Sequence, residues 1–161
     1  ETLRGEFDIR FDVYLRGYIS EVARKELARY KGTRVLRQSD DFAEYISSLR
    51  RSDVNVYAYN QDPASVAYMG KGIPNKTCEL LAAGRPILAY GPTTFAGLIY
   101  LEDHKAACVV NAPANLAQAI RKLKNSPSES QALIDNAREL CRSKTRLVGG
   151  ASPRSARQAP A

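Results

Sequence analysis

Residues 70–87 read GKGIPNKTCELLAAGRPI, and this stretch decides the fold because it holds a loop, a helix start, a helix stop and the beginning of a strand. Pro74 favours an extended incoming chain, and the side-chain oxygen of Asn75 can accept a hydrogen bond from the first helical turn. From Lys76 no glycine or proline follows until Gly84, a residue type that commonly ends helices. The stretch therefore predicts a helix of about two turns, capped by Asn75.

The start of this predicted helix favours an anion. Its N–H groups and the positive end of its dipole attract negative charge, and Lys76 adds a formal charge at the same place. Glu79 lies one turn further along, on the same face, where its carboxylate can accept from the hydroxyls of a sugar. We expect a diphosphate at the helix start with a sugar beside it, although from spacing alone Glu79 and Lys76 could equally be solvated surface residues.

The run PNKTCELLAAGRPILAYG, residues 74–91, resembles the P-x-K-x-x-E-[YL]-L-A-A-G-[KR]-P motif of GT-B glycosyltransferases, particularly the retaining enzymes of family 4. The motif belongs to the C-terminal, donor-binding domain of those enzymes. The likeness extends back through FDVYLRGYISE (11–21) and SDVNVYAY (52–59), and forward to about Lys144. It implies an α/β fold, a Rossmann-like parallel sheet with helices on both faces, that binds a nucleotide-sugar donor.

The resemblance also implies roles for residues of the motif. In that family the carboxylate that matches Glu79 binds the ribose hydroxyls of the nucleotide sugar. Backbone amides that match Asn75, Lys76 and Thr77 hold the diphosphate. The implied site therefore needs no metal and no resident cofactor, and the resemblance assigns no catalytic residue.

Three positions outside this group are further candidates for nucleotide binding. Gly17 resembles the family's glycine turn near the nucleotide, and Arg37 falls where family members line the base. Many members carry a second glutamate eight residues before the ribose-binding one, but this chain has Lys71 there. Lys71 either faces the phosphates or is a solvated surface residue, and the departure leaves the donor sugar open.

The net charge of +7 does not indicate nucleic-acid binding, because four of these charges lie in residues 144–161, which contain no acid. That leaves +3 for residues 1–143. We predict one domain over residues 1–144 and a disordered basic tail over 145–161, where Gly, Ser, Ala and Pro are frequent and no apolar period is present. A solvated tail is favoured over a peripheral contact with anionic lipid at the inner face of a membrane.

The cysteines and the first residues of the chain indicate the cellular compartment that the sequence favours. Three cysteines without C-x-x-C spacing and a single histidine indicate neither a disulfide framework nor a zinc site, which favours the cytoplasm. No stretch approaches the roughly 20 apolar residues of a membrane span. The chain begins with glutamate and no leader precedes its first strand, so we expect that the natural N-terminus is missing.

Strand-like and helix-like runs alternate, which is typical of a parallel sheet with crossover helices. Strands are predicted at 11–16, 33–37, 54–59, 87–90 and 107–110, and helices at 20–30, 76–83, 95–103, 113–124 and 127–143. Ser20 is predicted to cap the first helix, which has Val22, Leu27 and Tyr30 at helical spacing. A further helix is predicted to begin at Asp41, in a capping-box pattern with Glu44, and to include Leu49. A complete domain of the resembled kind has six strands in the order 3-2-1-4-5-6. We therefore expect an incomplete GT-B C-terminal domain that lacks its first strand and the acceptor-binding N-terminal domain, and that transfers no sugar alone.

Three functions remain in view from the sequence. The first is the donor-binding part of a glycosyltransferase that builds a polysaccharide or glycolipid. The second is a sugar-nucleotide epimerase of the same architecture, which the single histidine disfavours. The third is a non-catalytic Rossmann-like interaction module.

Overall fold

Five short strands alternate with seven α-helices in a computed structural model that describes residues 3, 5–15, 17, 19–69 and 72–149. The strands are β1 (Phe11–Leu15), β2 (Thr33–Arg37), β3 (Asn55–Ala58), β4 (Ile87–Tyr90) and β5 (Cys108–Val110). The helices are α1 (Glu21–Ala28), α2 (Phe42–Arg51), α3 (Pro63–Met69), α4 (Lys76–Ala83), α5 (Ala96–Asp103), α6 (Leu116–Asn125) and α7 (Pro127–Gly149), with a 3-10 turn at Pro113–Asn115 before α6.

All observed strand pairs are parallel, as predicted, but the strands form two sheets and not one. One sheet pairs β1 with β2, and the other has the order β3-β4-β5. Within the described residues, no hydrogen-bonded strand pair joins the two sheets. The α/β class and the parallel pairing are confirmed.

The three-stranded sheet carries the hydrophobic core on both of its faces. Ile87 and Ala89 of β4 pack into a cluster with residues of α4, α5 and α7, whereas Leu88 packs into a second cluster with α6. Because successive strand residues point to opposite faces, a strand covered on both sides reads as a continuous apolar run, and ILAY does so. Helices on both faces are therefore confirmed for this sheet.

The two-stranded sheet is much less buried. Neither its strands nor α1 contains a buried residue, although helical spacing placed Val22 on a predicted apolar face with Leu27 and Tyr30. Val22 is 80% exposed. An apolar stripe is buried only where another layer covers it, and that condition depends on distant parts of the chain.

Capping explains where several helices begin. The Ser20 hydroxyl accepts from the N–H of Ala23 at 3.2 Å at the start of α1, and the Asp41 carboxylate accepts from the N–H of Glu44 at 2.8 Å in α2. Both N-caps were predicted from the sequence. The reciprocal half of the capping box is absent, because the Glu44 carboxylate accepts from the Ser39 hydroxyl at 2.6 Å.

Two helix assignments depart from the prediction. Helix α3 was missed, although Asp62 accepts from the N–H of Ser65 at 2.9 Å and Pro63 occupies the first helical position, which together are a usual helix start. Helix α7 continues to Gly149, past the predicted end at residue 143, because no glycine or proline interrupts it sooner. Residues 150–161 lie outside the described residues, and the disordered tail stays a prediction there.

An exposed ion pair joins the two strands of the smaller sheet, and it makes that sheet acid-sensitive. The Arg34 guanidinium donates to both carboxylate oxygens of Asp12, at 2.7 and 2.6 Å, which holds the pKa of Asp12 below its ordinary value of 3.8. A lowered folded-state pKa stabilises the fold above the unfolded value and loses that contribution as the pH falls through the folded value.

We therefore expect Asp12→Asn to lower the urea midpoint slightly near neutral pH, and the gap to the parent chain to close as the pH falls from about 4 to about 2. Asp8→Asn, which removes an exposed carboxylate just before β1, is the matched control for the change in net charge. A gap that stays constant over this pH range would contradict the assignment.

Candidate functional site

The start of α4 lies beyond the carboxyl end of β3, where parallel sheets of this kind place ligands. Helix α4 spans the predicted range and ends at Gly84, whose φ of 68° and ψ of 34° are the left-handed conformation that glycine adopts without strain. We name the surface formed by Asn75, Lys76 and Glu79 of this segment with Tyr45 and Tyr59 the α4 corner.

Asn75 precedes α4, as predicted, but the predicted capping hydrogen bond from its side chain is not formed. Asn75 has a helical backbone, and its side chain makes no capping hydrogen bond. Backbone carbonyls satisfy the first turn instead: the N–H of Thr77 donates to Pro74 at 2.9 Å, and that of Cys78 donates to Asn75 at 3.0 Å. Within the described residues, the N–H groups of Asn75 and Lys76 have no acceptor.

Thr77 supports the α4 corner from beneath. Its side chain is buried and shares a hydrogen bond of 3.1 Å with the hydroxyl of Tyr57 on β3. Since its N–H already has the carbonyl of Pro74 as acceptor, Thr77 offers neither its amide nor its hydroxyl to a ligand in this conformation. This differs from the resemblance, which implied that the Thr77 amide holds the diphosphate.

The ammonium of Lys76 lies against the faces of two aromatic rings. Its Nζ is 4.3 Å from the ring centroid of Tyr59 and 5.3 Å from that of Tyr57, both within cation–π range. The residue remains exposed overall, but the rings remove water from one side of the ammonium, and this desolvation lowers the pKa of Lys76 from its ordinary value of 10.5. The ammonium thus stands at the corner with no carboxylate partner among the described residues.

The rings beneath Lys76 belong to one aromatic cluster. Tyr59 lies edge-on to Tyr57 at 5.0 Å and contacts Phe95 at 4.4 Å between centroids, which packs the end of β3 against the loop before α5. Burial raises the pKa of Tyr57 and of Tyr59, so both phenols are neutral in the physiological range. The two tyrosines thus pack at the end of β3.

Glu79 is half-buried and is tied to another helix. The hydroxyl of Tyr45 on α2 donates to Oε2 of Glu79 at 2.9 Å. Sequence reasoning missed this partner, since 34 positions separate the two residues and no local pattern connects them. One carboxylate oxygen of Glu79 is thereby engaged, and the other has no hydrogen bond to any described residue.

The structure does not bring the remaining candidates to Glu79 through any described contact. Gly17 has a φ of 90°, as a glycine turn requires. Arg37 ends β2 and forms an ion pair of 3.4 Å with Asp40, with its side chain 87% exposed. Lys71 lies outside the described residues.

Other features lie away from the α4 corner. A cavity of about 100 Å³ is lined by Thr93, Glu102 and Asn111 with residues of α5 and β5, and an open groove of about 530 Å³ is lined by residues of β5 and α6. The ring of His104 lies 4.6 Å from that of Tyr100, tilted by 44°, at the end of α5. In the part of the chain that is described, no group of three His, Cys, Asp or Glu side chains is placed to hold a metal ion. No described helix is both long and apolar enough to cross a membrane.

Comparison with known proteins gives one family and several similar solved structures, of which two are described. A family model described as glycosyl transferase-like matches residues 2–148. The α,α-trehalose 6-phosphate synthase of Burkholderia multivorans is 15% identical, with a TM-score of 0.57, over 86% of this chain and 33% of that one. WaaG, a glycosyltransferase involved in lipopolysaccharide biosynthesis, is 18% identical, with a TM-score of 0.48, over 81% and 35%. A search of curated proteins found no significant match. The chain thus spans about a third of the length of the solved structures that it matches.

Proposed function

This chain belongs to the glycosyl transferase-like family, and on that premise we propose that it is the donor-binding part of an enzyme that transfers a sugar from a nucleotide-activated donor to a polysaccharide, lipid or other acceptor. The nucleotide sugar is a substrate in this proposal, and no resident cofactor is assigned. Its partner is an acceptor-binding domain. The cytoplasm is the proposed setting, and none of the three cysteines forms a disulfide.

The observation that carries the proposal is an anion-binding helix start with a carboxylate, that of Glu79, one turn away. We call this helix start, formed by the first amides of α4 and the Lys76 ammonium, the anion seat. The N–H groups of Asn75 and Lys76, which have no acceptor among the described residues, lie with the positive end of α4 at the helix start that carries the Lys76 ammonium. Glu79, on the same side of α4, keeps one carboxylate oxygen for hydroxyl groups. A diphosphate followed by a ribose has this order of charge and hydroxyls.

The chemistry of such a site is electrostatic. When the bond from the sugar to the nucleoside diphosphate breaks, negative charge develops on the departing phosphate. Lys76 and the two amides would stabilise that charge, and an anion beside Lys76 would restore the pKa that contact with Tyr57 and Tyr59 lowers. Lys71 is proposed to share this role.

The epimerase reading receives less support from the geometry. Its expected active-site histidine has one candidate in the chain, His104. Nδ1 of His104 lies 2.8 Å from the carbonyl oxygen of Tyr100 at the carboxyl end of α5, the place where a ring of this kind interacts favourably with the helix dipole. The interaction-module reading makes a different prediction, which is that nucleotides do not bind at all.

We expect uridine, guanosine or adenosine diphosphate to raise the melting temperature of the 161-residue chain, and the matching nucleosides to raise it far less, because the seat recognises phosphate. Binding should weaken as salt increases, and less steeply in Lys76→Met, which removes one charge from the seat. Thermal melting of the parent chain and of Lys76→Met, over the nucleotide series and at several salt concentrations, measures the nucleotide preference and the salt dependence. No shift with any diphosphate would refute the transferase proposal and favour the interaction module.

A further inference from the structure

The hydroxyl of Tyr45 is the group that holds Glu79 in place within the α4 corner. It donates to Oε2 at 2.9 Å, and both side chains are partly buried. A carboxylate on a free glutamate side chain samples several rotamers, and each must be surrendered when a ligand binds. The bond to Tyr45 restricts that freedom before any ligand arrives and leaves the second oxygen unengaged.

Helix α2 places this hydroxyl rigidly. Asp41 caps the helix, and Ile46, the residue after Tyr45, is buried. Helix α2 packs along α4, and a second tie near its end joins the Arg85 side chain to the backbone carbonyl of Arg50 at 2.6 Å. Tyr45 thus projects from a capped helix that packs on α4 and is bonded near its end to Arg85, just beyond α4.

The phenol of Tyr45 is a hydrogen-bond donor throughout the physiological pH range. Burial, followed by the hydrogen bond and the negative charge of Glu79, raises the pKa of Tyr45 to about 12. A neutral phenol has one proton to give, and a carboxylate can only accept it. The direction of the bond is therefore unambiguous.

We propose that Tyr45 is a positioning residue that orients the carboxylate of Glu79 toward the ribose hydroxyls of the bound nucleotide. This inference rests on the proposed function and adds to it a residue outside the α4 motif. A preorganised acceptor costs less ordering on binding, so the benefit appears only with ligands that carry those hydroxyls.

The experiment compares a ribonucleoside diphosphate with its 2′,3′-dideoxy counterpart by isothermal titration calorimetry, using the base that binds the parent chain best. We expect Tyr45→Phe, which removes only the hydroxyl, to raise the Kd of the ribonucleotide about fivefold and to leave that of the dideoxynucleotide unchanged. Tyr30→Phe, the same chemical change at an exposed residue beyond α1, is the matched control and should alter neither value.

The outcomes separate the two claims. If Tyr45→Phe weakens both nucleotides equally, the residue has a structural role and the positioning role is refuted, while donor binding stands. Equal affinities of the parent chain and Tyr45→Phe for the ribonucleotide would refute the positioning role in the same way. If the parent chain binds no nucleoside diphosphate, the proposed function itself fails, and this inference fails with it.

Discussion

Replacing Glu79 by alanine is expected to weaken the binding of nucleoside diphosphates by on the order of 100-fold. The proposal places two ribose hydroxyls on this carboxylate, and each hydrogen bond to a charged acceptor contributes about 1.5–3 kcal/mol. Loss of both therefore removes at least about 3 kcal/mol of binding free energy, which is roughly two factors of ten. Calorimetric titration of the 161-residue chain measures this loss directly.

Two variants make the Glu79 result specific. Glu79→Gln keeps the shape of the side chain and an acceptor for Tyr45 but removes the charge, so its loss should be intermediate. Glu139→Ala removes an exposed carboxylate from α7 and is the control for net charge. Since Glu79→Ala leaves the Tyr45 hydroxyl without its acceptor, circular dichroism must show that the variant is folded. Affinity equal to that of the parent chain would mean that Glu79 does not contact the nucleotide.

Gly97→Ala is expected to destabilise the fold by roughly 1–3 kcal/mol, which is the usual cost of overpacking a core. Gly97 lies within α5, where a change from glycine to alanine normally stabilises by about 1 kcal/mol. Here the added Cβ would meet the hydroxyl of Tyr57 and would lie 2.9 Å from a ring carbon of Phe95. Both rings are fully buried and cannot move aside cheaply, so the steric cost exceeds the helical gain.

Gly97→Ala should also disturb the α4 corner. Displacing Tyr57 would break its hydrogen bond with Thr77 and shift the rings on which the Lys76 ammonium rests. Urea denaturation followed by circular dichroism measures the loss of stability, and Gly5→Ala, where a Cβ meets nothing within 4 Å, is the matched control. A midpoint at or above that of the parent chain would show that α5 and β3 do not pack as described.

Prediction succeeded where a few neighbouring residues decide the structure. Helix α4 begins and ends where the sequence indicated, because Gly84 can adopt the left-handed conformation that stops it. The caps at Ser20 and Asp41 formed for the same local reason. Helix α3 has an equally local signal at Asp62 and Pro63, so the sequence alone was sufficient to predict it.

Prediction was incomplete where packing between distant residues decides. Spacing placed Val22 on an apolar face, yet the structure leaves it exposed because none of the described elements covers that face of α1. Asn75 was expected to cap α4 with its side chain. The amides of Thr77 and Cys78 donate instead to the backbone carbonyls of Pro74 and Asn75. In both cases a local preference was satisfied or overridden by what the rest of the chain placed nearby.

Sequence alone was enough for the family and for the alternation of parallel strands with helices. It was also enough to place Lys76 and Glu79 on one side of a short helix. Each of these features follows from residues within a few positions of one another. The tertiary structure alone decided that the strands pair in two sheets, that Thr77 faces the core, that Lys76 rests on tyrosine rings and that Tyr45 bonds Glu79. These contacts join segments from 17 to 34 residues apart, so they exist only once the chain has folded and their free energy cannot be read from local spacing.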